Sequence, residues 1–221
     1  MRVLKKQLCS LLACAAVLAT LPASAADNVV YDNGAPNHAS GNNLGFAWQA
    51  EDFTLGSDAG LAAVTFWSLE ALGAYRGSIS WSIVGDDGGK PSSDVFGSGN
   101  ALSVSRTGLG SYLGLDEYSN SFSLGAPLAL DAGTYWLVLH NGSFGDLGDP
   151  NEFLWETSAS NQGLRGMESF NGGVAWTSNF NEHAFQVSAV PEPASVVMLA
   201  AGMLLLGAMG RRGQAGNAFA S

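Results

Sequence analysis

Ser78-Ile79-Ser80-Trp81-Ser82-Ile83 alternates strictly between hydroxyl and apolar side chains. Period two places Ile79, Trp81 and Ile83 on one face and the serines on the other, the pattern of a half-buried strand. Outward from it the same rhythm recurs. Ser121-Phe122-Ser123-Leu124 alternates, and so does Ala184-Phe185-Gln186-Val187-Ser188, with Phe185 and Val187 inward. Leu61 to Leu69 and Thr134 to Leu139 are denser apolar runs rich in β-formers and are expected to be central strands. Turn signals separate these runs: Asp32-Asn33-Gly34, Asp86-Asp87-Gly88-Gly89, Gly97-Ser98-Gly99-Asn100, Asn141-Gly142 and Asn171-Gly172-Gly173. No stretch between Asp27 and Ala189 has a helical period. The expected fold is all-β, an antiparallel β-sandwich with a jelly roll as its leading form.

The two ends of the 221-residue chain read differently. Arg2, Lys5 and Lys6 precede an apolar segment, Leu8 to Leu21, and the small residues of Pro22-Ala23-Ser24-Ala25-Ala26. This is the plan of a secretory signal peptide over 1–25, with cleavage before Ala26 or Asp27. A lipobox at Leu11-Leu12-Ala13-Cys14 is the lesser alternative, since the apolar run before Cys14 is short. Cys9 and Cys14 both fall in this leader, so the exported domain, 26–189, is expected to hold together by packing alone, without disulfides or thiolate metal sites.

At the other end, Ala194 to Gly210 carries no charge. As a helix it would cover roughly 25 Å, near the short limit for a bilayer. Pro191 and Pro193 set its start and Arg211-Arg212 close it, so basic residues mark the cytoplasmic side. The expected organisation is a single transmembrane helix within 190–212 and a short cytoplasmic tail over 213–221.

Val190-Pro191-Glu192-Pro193, the short apolar span and Arg211-Arg212 together resemble the PEP-CTERM sorting signal of Gram-negative bacteria. The same tail is sometimes labelled by an ice-binding protein, although the domain here has scattered threonines and no Thr-x-Thr ladder. The resemblance implies export through Sec, handling by an exosortase at the inner membrane, and association with exopolysaccharide or biofilm matrix. Tails of that family usually stop soon after the basic pair; here Gly213 to Ser221 continue. A looser resemblance spans the middle. Phe53-Thr54-Leu55, Val64-Thr65-Phe66-Trp67, Trp81-Ser82-Ile83, Asp86 to Pro91, Leu130 to Leu137 and Phe153-Leu154-Trp155 follow in the order of bacterial extracellular β-sandwich modules. Fold and location are implied by that order, and no activity.

Charge narrows the partners. Of the 19 acidic residues all but Glu192 lie in the domain; of the 9 basic ones only Arg76, Lys90, Arg106 and Arg165 do, a domain net of 4 − 18 = −14. Such a surface repels nucleic acid and anionic membrane. No Gly-x-Ser-x-Gly elbow is present, and His38, His140 and His183 read as surface or strand-end residues. Adjacent acids such as Glu51-Asp52 and Asp116-Glu117 are expected in so acidic a chain and do not by themselves make a glycosidase pair. The chain therefore reads as a non-enzyme.

Two chemistries stay open. Asp86 and Asp87 on a Gly-rich turn, and Asp146, Asp149 and Glu152 in one loop, offer clustered oxygens suited to a structural calcium ion. Six tryptophans fall in the domain. Trp81 reads as core, whereas Trp155 and Trp176 lie near loops and are the candidates for stacking on a sugar ring. The leading expectation is a structural or adhesive protein of the exopolysaccharide matrix. The alternatives are a carbohydrate-binding module, with or without calcium, and, behind it, a polysaccharide hydrolase or lyase.

Overall fold

A computed structural model describes residues 28–160, 163, 165–190 and 202. The leader and nearly all of the C-terminal span, with Pro191, Glu192, Pro193, Arg211 and Arg212, lie outside these residues. No helix among the described residues is long and apolar enough to cross a membrane. Asp27–Val190 form one compact unit.

The unit is all-β, with thirteen strands in two antiparallel sheets among the described residues. One sheet is organised on β4 (Ala59–Glu70). Along one edge β4 pairs with the whole of β8 (Leu115–Leu130), which carries β7 (Ser105–Tyr112) outside it. The other edge is shared end to end. β13 (Phe185–Ala189) takes Leu61 to Phe66 and bears β1 (Asn28–Asp32); β10 (Phe153–Ser158) takes Ser68 to Glu70 and bears β2 (Pro36–Asn43). The second sheet runs in the order β12 (Thr177–Ser178), β11 (Met167–Ser169), β3 (Trp48–Leu55), β9 (Gly133–Asn141), β5 (Ile79–Asp86), β6 (Pro91–Ala101).

The two expected central runs, Leu61–Leu69 and Thr134–Leu139, are β4 and β9. Both are interior strands, which is why they lack clean alternation. Between the sheets lies one core. Phe53, Ile79, Trp81, Ile83, Leu137 and Leu139 come from one sheet, and Val64, Phe66, Phe122, Trp155, Phe185 and Val187 from the other. Phe66, Trp155 and Phe185 meet edge to face at 5.8–6.3 Å, a geometry aromatic quadrupoles favour. A smaller cluster of Ala50, Val84, Trp136 and Val138 lies apart from that core, with Trp48, Phe144, Met167 and Trp176 packed against it. By strand alternation it occupies the outer face of the second sheet.

One expected turn is not a turn. Gly97-Ser98-Gly99-Asn100 lies inside β6, with Gly99 opposite Trp81 and Gly97 opposite Ile83. A Cβ on Gly99 would stand 3.0–3.1 Å from the Trp81 indole, and one on Gly97 would stand 2.9 Å from Leu128. The glycines are there to let a large ring lie over the strand, a packing role that composition alone does not separate from a turn.

Candidate functional site

The sequence-derived calcium residues fall in two separate loops. Asp86 is the last residue of β5, at the end that pairs with Tyr135, and Asp87 follows it. Asp146, Asp149 and Glu152 follow the far end of β9, past His140. Five β residues separate those ends, about 17 Å. The carboxylates are also engaged. Asp86 Oδ1 accepts from Trp136 Nε1 at 2.9 Å and from Gly89 N at 3.1 Å. Asp149 takes Arg76 Nε at 2.7 Å and the backbone N–H of Asn151 at 3.0 Å, and these contacts hold its pKa below the ordinary value. Asp146 reaches Arg76 only at 4.0 Å, while Asp87 faces Lys90 at 3.6 Å. Among the described residues neither loop gathers three carboxylates around one point.

Of the two candidate sugar platforms, Trp155 is removed by the structure. It is fully buried in the core and donates its indole N–H to Ala184 O at 3.0 Å. Its neighbour in sequence, Leu154, faces the other way. Strand parity, and not proximity to a loop, decides which of the two is inside.

Trp176 is placed otherwise. It lines a groove on the outer face of the second sheet, with about 280 Å³ of open space. Val84 on β5 and Val138 on β9 form its floor. Trp48, Phe144 and Trp176 form one wall, and Ser82, Ser92, Ser93 and Ser98 supply hydroxyls across from them. Trp48 is the residue that reasoning from the sequence left unassigned. Its indole N–H donates to Phe144 O at 2.9 Å, and the two rings lie 4.2 Å apart, tilted at 45°. These contacts lock the Trp48 ring and leave it half-buried at the groove wall. Gly173, at φ +83°, lets the 170–176 loop press against that ring, where a Cβ would come within 2.8 Å. No lining residue of the groove is charged. It crosses β3, β9, β5 and β6, and four strands span about 14 Å.

The histidines are not surface residues. His140 and His183 are fully buried, and only His38 is part-exposed. Burial lowers the pKa of His140, whose ring nitrogens find no hydrogen bond. His183 stacks on Trp155 at 4.8 Å and meets Glu51 inside the sandwich, with Nδ1 2.6 Å from Oε2. A second polar cluster closes the other end of β4. Glu70 bonds Ser68 and pairs with Arg106, whose guanidinium lies 4.1 Å from the Tyr75 ring centre and 4.3 Å from that of Tyr118. Among the described residues the single group of three metal-capable side chains is His38, Glu117 and Glu156. Compared with protein-family models and with curated proteins, the chain matches none.

Proposed function

We propose that this chain is an exported protein of the cell envelope or surface whose β-sandwich holds a neutral polysaccharide of the surrounding matrix in the Trp48–Phe144–Trp176 groove. The observation that carries the reading is the groove itself: half-exposed aromatic rings along one wall, hydroxyls opposite and no charge between. Sugar rings present apolar C–H faces and hydroxyl edges, and this lining complements both. In a domain of net charge −14 an uncharged groove favours a neutral glycan over an anionic one. The role is adhesive or structural and not catalytic, since no carboxylate lines the groove to protonate or attack a glycosidic bond.

The finer fold we assign is a jelly roll. Taken in chain order, β1, β3, β4, β5, β6, β8, β9 and β13 distribute as β1-β13-β4-β8 and β3-β9-β5-β6, the strand order that two interlocked Greek keys generate. Delivery rests on the two ends of the sequence: Sec export by the leader, then retention at the inner membrane by a helix within 190–212. An exosortase would read Val190-Pro191-Glu192-Pro193 and Arg211-Arg212 and release the domain outward. A glycan array probed with the purified protein, with and without calcium, tests the binding reading. Neutral glycans should bind the native protein, and Trp176→Ala should lose them while keeping its unfolding temperature. Absence of binding in both conditions refutes it.

A further inference from the structure

We propose that His38, Glu117 and Glu156 form a binding site for a divalent transition-metal ion, with zinc the best match. The three come from different strands: His38 from β2, Glu117 from β8 and Glu156 from β10. They converge because Leu69 on β4 pairs with Glu117 on one side and with Leu154 on the other, so Glu156, two residues beyond Leu154, shares their face. His38 reaches over from β2 with φ +58°, a conformation uncommon for a residue with a Cβ. Tyr112 stacks on its ring at 3.9 Å and 10°, holding the imidazole in place.

His38 Nδ1 lies 3.2 Å from Glu156 Oε1 and 3.5 Å from Glu117 Oε1, and one donor atom from each residue falls within 4.8 Å of the others. A tetrahedral ion with bonds of about 2.05 Å separates its ligands by about 3.3 Å. The two distances bracket that edge.

What points to an ion, and not merely to a polar cluster, is how these atoms are left. Glu117 is 2% exposed and Glu156 fully buried. Glu117 Oε1, Glu156 Oε2 and His38 Nδ1 are all buried and accept or donate no hydrogen bond. Glu156 Oε1 takes one, from the backbone N–H of His38 at 3.0 Å. Two buried carboxylates facing each other with open lone pairs are costly unless a cation joins them. One imidazole and two carboxylates suit zinc, and the nitrogen ligand disfavours calcium and magnesium. Both carboxyls are sealed from anything the size of a sugar, so they are not a hydrolase pair.

The test uses the purified protein stripped with a chelator and then dialysed against zinc, manganese, calcium or magnesium, each alone, with metal content measured by mass spectrometry. Native protein should retain about one zinc per chain and no calcium, and zinc should raise its unfolding temperature. His38→Ala, which changes the most exposed of the three, and Glu117→Gln should each retain at least tenfold less zinc at the same free concentration. Circular dichroism of the metal-free variants checks that each still folds, and His38→Ala alone suffices if Glu117→Gln does not. Less than a tenth of an equivalent on native protein, or undiminished zinc on folded His38→Ala, overturns the proposal. Either result would leave an ordinary buried polar cluster as the whole account of these three side chains.

Discussion

Raising the pH above 6.5 should destabilise the fold through the Glu51–His183 pair alone, by up to about 1.4 kcal/mol per pH unit. Asn42 Oδ1 accepts from Asn181 Nδ2 at 2.7 Å and stands 3.0 Å from His183 Nε2. An acceptor on that side fixes the ring proton on Nε2. Nδ1 then shares a single proton with Glu51 Oε2 at 2.6 Å, both side chains being fully buried. Burial raises Glu51 well above the ordinary carboxyl value and lowers His183 to about 3. Both directions describe one state, a pair that holds one proton and no net charge across neutral pH.

The unfolded chain behaves differently. Its glutamate ionises near 4.5 and its histidine near 6.5. Between those values both states hold one titrating proton and stability is flat. Above 6.5 the unfolded pair holds none while the folded pair keeps its own, so stability falls by about 1.4 kcal/mol per pH unit. Below 4.5 the unfolded pair gains a second proton that the folded pair refuses until about pH 3, and stability falls again. Glu182, Asp52, Asp32 and Tyr31 face the same region and Arg165 lies near Glu182, so the raw curve contains their slopes too. Glu51→Gln removes the shared proton and leaves those groups in place. It should lower stability by about 1–3 kcal/mol at pH 6.5, because no one amide atom can both accept from the His183 backbone N–H and donate to Nδ1, as Oε2 does. Urea unfolding followed by tryptophan fluorescence, at half-unit steps, gives the difference between native and variant protein. That difference should shrink steadily as the pH rises from 6.5 to 8.5. A constant difference over that range refutes the one-proton pair.

Three further outcomes are expected. Gly99→Val should cost about 1–3 kcal/mol, because the Trp81 indole, 3.0–3.1 Å from any Cβ there, cannot retreat within a packed core; an unchanged urea midpoint would count against this. Arg106→Met should cost about 3–5 kcal/mol by leaving buried Glu70 without its cation, and the double variant with Glu70→Gln should recover much of it, read by the same unfolding assay. Protein released to the medium should lack Arg211 and Arg212 by intact mass, and released material that retains them would contradict processing.

Strand identity was legible in this sequence because period two is local. Ile79, Trp81 and Ile83 announce their face without reference to anything distant, and so do Phe185 and Val187. The misreadings share one physical origin, which is that their causes lie far along the chain. Gly97 and Gly99 look like a turn until Trp81, sixteen and eighteen residues earlier, is seen to lie over them. His183 looks like a strand-end residue until Glu51, 132 positions away, is seen to meet it. Trp155 is on the inner face of β10 because β4 sets that register, and a two-sheet sandwich buries whatever faces inward. Trp48 at the groove wall is not legible in the sequence, since its orientation depends on Phe144, 96 residues on. His38, Glu117 and Glu156 have no spacing a motif could capture, and only the pairing of β8 and β10 with the same strand brings them together.

The shortage of bases connects these features. With only four Lys and Arg in the unit, few buried carboxylates have a permanent cation as partner. Arg106 serves Glu70 and Arg76 serves Asp149. Lys90 lies at the exposed Asp86–Lys90 turn, and Arg165, also exposed, lies 5.8 Å from the Phe180 ring. Of the remaining buried acids, Glu51, Glu117 and Glu156 are each met by a histidine instead. An arginine fixes a carboxylate at every pH, whereas an imidazole can give its proton up or exchange it for a metal ion. The acidic composition therefore does more than keep the surface solvated. It ties the stability of the sandwich to pH at Glu51–His183 and, on the inference above, to a metal at His38–Glu117–Glu156. Those polar sites lie away from the groove, whose lining carries no charged residue. A groove meant for a neutral polymer requires that separation, because a buried acid at its floor would demand a cation where a sugar ring has to lie.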